Sequence, residues 1–156
     1  VELIGGVDRA KDLLKQIADH GEIIGVSSVY KRFATKELLD LNARIEFVVR
    51  FESTLDVEQQ LDLVLSLATT SSPELGGGGA GSLTLLCVNN LILMSPKLTL
   101  PYPQMHTDPL IIRCAAELWP SYEHPIYQKT LAELVKMASP VKYTEFFMQG
   151  KSLVDF

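Results

Sequence analysis

The sequence predicts an α+β domain: a ferredoxin-like (split βαβ) antiparallel sheet with helices on one face, followed by a C-terminal hairpin and further helices. Three observations lead there. Hydrophobic periods of two and of three-to-four residues succeed one another in the order β-α-β-β-α-β. A chain of 156 residues, 47 % hydrophobic and 21 % charged, is enough for one sizeable core. No repeat or composition shift divides it, so residues 1–156 are expected to form a single domain.

The elements follow in order. Residues 1–4 form a short strand running into Gly5 and Gly6. Asp8 is expected to cap a helix with apolar positions at Ala10, Leu13, Leu14, Ile17 and Ala18, ended by His20 and Gly21. Residues 22–32 alternate and carry Ile24, Val26 and Val29, so they form one strand. Residues 34–41 read as a loop or short helical turn. In residues 44–52, Ile45, Phe47, Val49 and Phe51 alternate with Glu46, Val48, Arg50 and Glu52, the pattern of a half-buried strand. Its polar face, shared by Arg44, Glu46 and Arg50, is expected to be solvated.

Asp56 with Gln59 has the form of a capping box and opens a helix through Leu61, Val64, Leu65 and Leu67. The glycines at 76–79 make a flexible break. Residues 83–88 and 91–94 are expected to pair as a hairpin turning at Asn89 and Asn90. Asp108 and Pro109 supply a cap and a first-turn proline for a helix over 110–118. Thr130 and Glu133 form a second capping box, opening a short helix to Met137. Residues 142–147 are the last strand.

Composition narrows the function. A net charge of −5 and a pI of about 5.2 argue against a nucleic-acid partner held by phosphate attraction. No apolar run approaches the roughly 20 residues that span a bilayer; the longest, 83–93, is broken by Thr84, Asn89 and Asn90. Residues 1–4 lack the basic start and apolar core of a signal peptide, and there is no initiator Met, so we expect a trimmed start and a cytoplasmic address. Cys87 and Cys114 both lie in apolar runs and read as buried thiols of a reducing compartment.

The motifs that suggest chemistry are thin. The glycine tract at 76–81 ends in Ser82 without the lysine of a phosphate-binding loop, and no Lys or Arg occurs between Arg50 and Lys97. His106, Asp108 and Glu117 fit no common metal spacing, and Asp108 is accounted for as a helix cap. His20 and His124, beside Gly21 and Pro125, read as surface residues. Ser27 and Ser28 have no evident base partner. Glu46, on the polar face of an apolar strand, is a candidate pocket residue, as is Tyr102 in the turn Pro101-Tyr102-Pro103. No catalytic residue and no metal ligand set is identifiable.

Three segments add a resemblance. Residues 21–30 read GEIIGVSSVY, residues 51–61 read FESTLDVEQQL, and residues 98–103, LTLPYP, are followed by AAELWP at 115–120. Together they resemble the 6-hydroxymethyl-7,8-dihydropterin pyrophosphokinase (HPPK) family of the folate pathway. The likeness covers nearly the whole chain and implies that family's ferredoxin-like core. It also implies transfer of pyrophosphate from ATP to a hydroxymethyl-dihydropterin with two magnesium ions.

The family's chemistry is not matched residue by residue. Gly5-Gly6-Val7-Asp8 stands where the family opens with Gly-Ser-Asn-Leu-Gly-Asp. Glu46 stands at the pterin-facing Asn, and Ser82 and Thr84 at the acidic pair that holds magnesium. The glycine tract replaces an arginine-rich loop. Tyr102 replaces a His, and Asp108 an Arg that reaches phosphate. Lys97 and Thr99 match a basic position and a Thr.

The resemblance therefore implies a divergent relative without ATP- and magnesium-dependent transfer. It would serve as a small-ligand or protein-interaction module, with no cofactor. Glu46 would take a pterin's guanidine-like edge and Tyr102 would close the pocket, with Lys97 and Thr99 as further ligand-binding residues. The alternative is an active pyrophosphokinase using ATP and magnesium, with metal ligands relocated to Asp8, Glu74 or Asp108. A third reading is a homo-oligomer or a subunit of a larger complex.

Overall fold

In the computed structural model, which describes residues 2–33, 44–69 and 82–155, one long strand organises the rest. This is β4 (Arg44–Glu52). It is preceded by β1 (Glu2–Gly5), α1 (Val7–Ala18), β2 (Glu22–Val26) and β3 (Val29–Arg32). After it come α2 (Val57–Thr69), β5 (Ser82–Thr84), β6 (Leu93–Met94), β7 (Thr99–Leu100), α3 (Pro109–Leu118), α4 (Leu131–Met137), β8 (Thr144–Met148) and a 3-10 turn over Gly150–Leu153.

The fold is α+β with an antiparallel sheet. On one side β4 pairs with β1 (Leu3 opposite Phe47), and β1 in turn pairs with β5. On the other side β4 pairs with β2 and β3, and β8 closes that edge against β3.

The expected strand 22–32 is broken into β2 and β3, and the break has a local cause. The backbone N–H of Ser27 donates to the Val48 carbonyl at 2.9 Å, while the Ser27 hydroxyl accepts the Val48 N–H at 2.9 Å. A side-chain oxygen thus stands where a ladder carbonyl would be. Gly150 presses on the same spot: a Cβ there would lie 2.1 Å from the Ser27 carbonyl oxygen, so only glycine admits the 3-10 turn.

The sheet is covered on both faces, which corrects the expectation of helices on one face. Ile45, Phe47 and Val49 pack with Leu13, Leu14 and Ile17 of α1 and with Val64 and Leu67 of α2. On the opposite face Val48 joins Leu110, Ile111 and Ile112 of α3 and Leu131 and Leu134 of α4. The reason lies in α3, which buries Leu110, Ile111, Ile112, Cys114 and Ala115 and needs an apolar layer to receive them. The supposedly solvated face of β4 is that layer.

The local signals mostly hold. Asp56 and Gln59 make both reciprocal capping-box bonds, at 2.9 and 3.0 Å. Thr130 and Glu133 do the same at the start of α4. Asp108 caps α3, with Pro109 in its first turn. Helix α1 instead starts at Val7 with Gly6 as N-cap. Asp8 makes no cap bond and lies in the first turn, where its charge suits the positive helix end.

The expected pairing of 83–88 with 91–94 is not made: β5 pairs with β1, and a different hairpin forms further along. Asn89, at φ 46°, and Asn90 do form a turn, yet the strands that pair are β6 and β7. Their connection is closed by Ser95, whose hydroxyl accepts the Leu98 N–H at 3.0 Å. Leu86 is drawn away from that hairpin by its carbonyl, which accepts the Tyr102 N–H at 2.7 Å. The expectations for 34–41 and 76–79 lie outside the described residues.

Candidate functional site

Glu46 is the most constrained of the sequence-derived candidates. The β3–β4 register sets Tyr30 opposite it, so Arg32, two residues on, projects on the same face and reaches back diagonally. Arg32 Nε donates to Glu46 Oε2 at 2.6 Å and Nη2 donates to Oε1 at 2.7 Å. The same Nη2 donates to both Asp108 oxygens, at 3.0 and 2.9 Å. Glu46 is only 2 % exposed, so the expectation of a solvated carboxylate is corrected. It is a buried charge made tolerable by a fork-shaped partner.

Burial works against the Arg32 charge, and the hydrogen bonds to Glu46 and Asp108 outweigh it, leaving its pKa raised. The trio carries two negative charges and one positive. Asp108 spends part of its charge on α3, accepting the Leu110 N–H at 3.0 Å at the helix's positive end. Sequence reasoning missed Arg32. The signal was present, a basic residue two positions beyond Tyr30 on an alternating strand, but only the register makes it Glu46's neighbour.

The other candidates gather elsewhere. Thr84 of β5, Lys97 and Thr99 from the β6–β7 hairpin, and Tyr102 all line one cleft of about 380 Å³. Leu61, Val64 and Leu65 of α2 form its apolar wall. None of its described wall residues is acidic, and Glu46 is not among them. Ser82 lies on β5, its backbone paired with Ile4.

His106, Asp108 and Glu117 are held by different partners. His106 Nε2 meets the Tyr127 hydroxyl at 2.9 Å, Asp108 meets Arg32, and Glu117 accepts from the backbone and hydroxyl of Ser28 at 3.0 Å. Asp8 is exposed at the start of α1, and Glu74 lies outside the described residues. Among the described residues no group of three or more His, Cys, Asp and Glu side chains is placed to hold a metal ion.

His124 departs from the surface reading, since it is 1 % exposed. Its Nδ1 accepts the backbone N–H groups of Ile126 and Tyr127 at 3.3 and 3.4 Å, which leaves the proton on Nε2. Burial and the neighbouring His106 lower its pKa, so it is a neutral brace for the turn after it. His20 is exposed as expected. Cys114 is buried, Cys87 is half-buried, and both are free thiols. No described helix is long and apolar enough to cross a membrane. A scan against protein-family models finds no match for this chain, and a search of curated proteins finds none either.

Proposed function

We propose that this chain is a ferredoxin-like domain of the pterin pyrophosphokinase type that has lost pyrophosphoryl transfer and binds a small ligand in the cleft of Thr84, Lys97, Thr99 and Tyr102. The fold supports this reading: β5, β1, β4 and the β2–β3 pair stand side by side, with α1 and α2 packed on one face. The address we propose is a reducing compartment, the cytoplasm, which the two free thiols favour.

The observation that carries the reading is the charge of the cleft. Its described walls offer one lysine, four hydroxyls and no carboxylate. A triphosphate with two magnesium ions needs acidic oxygens on the metals and several cations on the phosphates. Losing a single such stabilising group typically costs about 3 kcal/mol of the transition state. A ligand with an apolar body and one anionic group suits the same walls, with the body against Leu61 and Leu65 and the anion on Lys97.

Glu46 fits a pterin site less well. Arg32 already makes the two-oxygen pairing that a pterin's guanidine-like edge would make. Displacing it breaks a buried pair worth about 3 kcal/mol or more.

Incubation with ATP, magnesium and hydroxymethyl-dihydropterin should release no AMP. Titration calorimetry with ATP should show weak binding that does not require magnesium and is lost in Lys97→Ala. Pterin-dependent AMP release would establish the active enzyme instead. No heat from ATP, from the pterin or from an apolar monoanion such as benzoate would remove the cleft as a ligand site.

A further inference from the structure

A second cavity, of about 90 Å³, lies beside the C-terminal half of β4 and, among the described residues, shares only Leu85 with the cleft above. Its described walls are mostly apolar: Phe51, Met105, Leu118 and Trp119 are among them, and Arg50 is the one charged residue of those described. The Arg50 guanidinium lies over the Trp119 ring, 4.1 Å from its centroid. Its only described hydrogen bond is a long one, 3.5 Å, to the Leu118 carbonyl. Neither of the ion pairs among the described residues includes it.

Arg50 is therefore a half-buried cation held flat by an aromatic ring, with most of its N–H fork unused, at an apolar hollow. Such an arrangement lowers the ordering cost of a bidentate bond to a carboxylate. Cys87, also in the wall, is kept as a neutral thiol by burial and brings no rival negative charge.

We infer that this cavity binds a small aliphatic monocarboxylate, its carboxylate on Arg50 and its hydrocarbon body against Trp119 and Leu118. Size sets the class. A 150 Å³ apolar cavity accepts benzene, so this one admits a body of about four carbon atoms. The site is independent of the cleft reading and stands or falls without it.

Trp119 is the single tryptophan of the chain and reports on the cavity directly. Isobutyrate should change its fluorescence saturably, and isobutanol, with the same body and no charge, should bind about tenfold more weakly or worse. Arg50→Gln should abolish that preference while leaving the far-ultraviolet circular dichroism unchanged. Should that variant misfold, Ala115→Val narrows the cavity and keeps Arg50, and it should weaken isobutyrate by a similar factor. Calorimetry covers the case of binding without a fluorescence change. The inference fails if isobutyrate gives neither signal, if isobutanol binds as well, or if a folded Arg50→Gln titrates like the native chain.

Discussion

Glu46 and Arg50 sit four residues apart on the same face of β4, and the two ends of that face are finished in opposite ways. Around Glu46 every strong bond is made within the chain: Arg32 grips both carboxylate oxygens and continues to Asp108. Around Arg50 the described residues supply an aromatic ring and a hollow but no carboxylate. A charge on a covered face must be neutralised or left an outlet. The Glu46 end is closed structure, and the Arg50 end is left for an exchangeable partner.

Substitution at the two arginines tests that contrast most strongly. Arg32→Ala leaves Glu46, 2 % exposed, without a counter-charge. We expect a loss of about 3 kcal/mol, at the low end for a buried pair because solvent reaches part of the Arg32 side chain. Arg50→Ala removes a ring contact and some packing of its stem, for about 1 kcal/mol. Urea unfolding of both variants gives the comparison, and equal losses would break it. Replacing the pair together, Arg32→Leu with Glu46→Met, should recover most of the first loss, since the fully buried charge is then gone and Asp108, partly exposed, keeps its cap bond to α3.

Asp108 sharpens the closed end. It serves two partners, the Arg32 guanidinium and the first N–H groups of α3. Asparagine keeps the cap and gives up the charge, so Asp108→Asn should cost about 1 kcal/mol or less. Asp108→Ala gives up both and should cost about 2 kcal/mol. If the two variants unfold at the same denaturant concentration, the cap contributes nothing measurable and the residue acts through Arg32 alone.

What could be read from the chain beforehand follows the range of each interaction. The capping boxes at Asp56 and Thr130 and the cap at Asp108 involve residues within three positions, and the structure makes those bonds. The alternation of β4 correctly set Glu46 opposite in sense to Phe47. It could not tell that α3 would cover the polar side, because that depends on where a segment some 60 residues later folds back. The resemblance grouped Glu46 with Lys97, Thr99 and Tyr102, and Ser82 with Thr84; Thr84, Lys97, Thr99 and Tyr102 share a cleft, and Glu46 lies apart from it with Arg32. Arg32 was invisible for want of a register, and Trp119 was legible only as part of a helix end. His124 was misjudged from its proline neighbour, although its burial is decided by the turn that wraps it.

The two thiols give the smallest effect near neutral pH and the finest comparison. Cys114 lies under the closed end, its sulfur 3.9 Å from the Ser28 carbonyl, and burial pushes it from 9.0 up to about 12. Cys87 lines the open cavity and is half-buried, its pKa raised mainly by burial as well. A thiol whose folded pKa is raised favours the fold below the unfolded value, and that contribution fades as pH climbs toward the folded one. Stability should therefore be flat with respect to Cys114 up to pH 9 and fall between pH 9 and about 12, a fall that Cys114→Ser should lessen. At pH 8 the folded Cys114 is far less ionised than in the unfolded chain, because burial raises its pKa, so labelling by a thiol reagent should wait on unfolding. Cys87, reachable from the hollow beside Arg50, should react first. Labelling of Cys114 before Cys87 in the native protein would mean that the Glu46 end is the looser of the two, and the contrast drawn between them would be reversed.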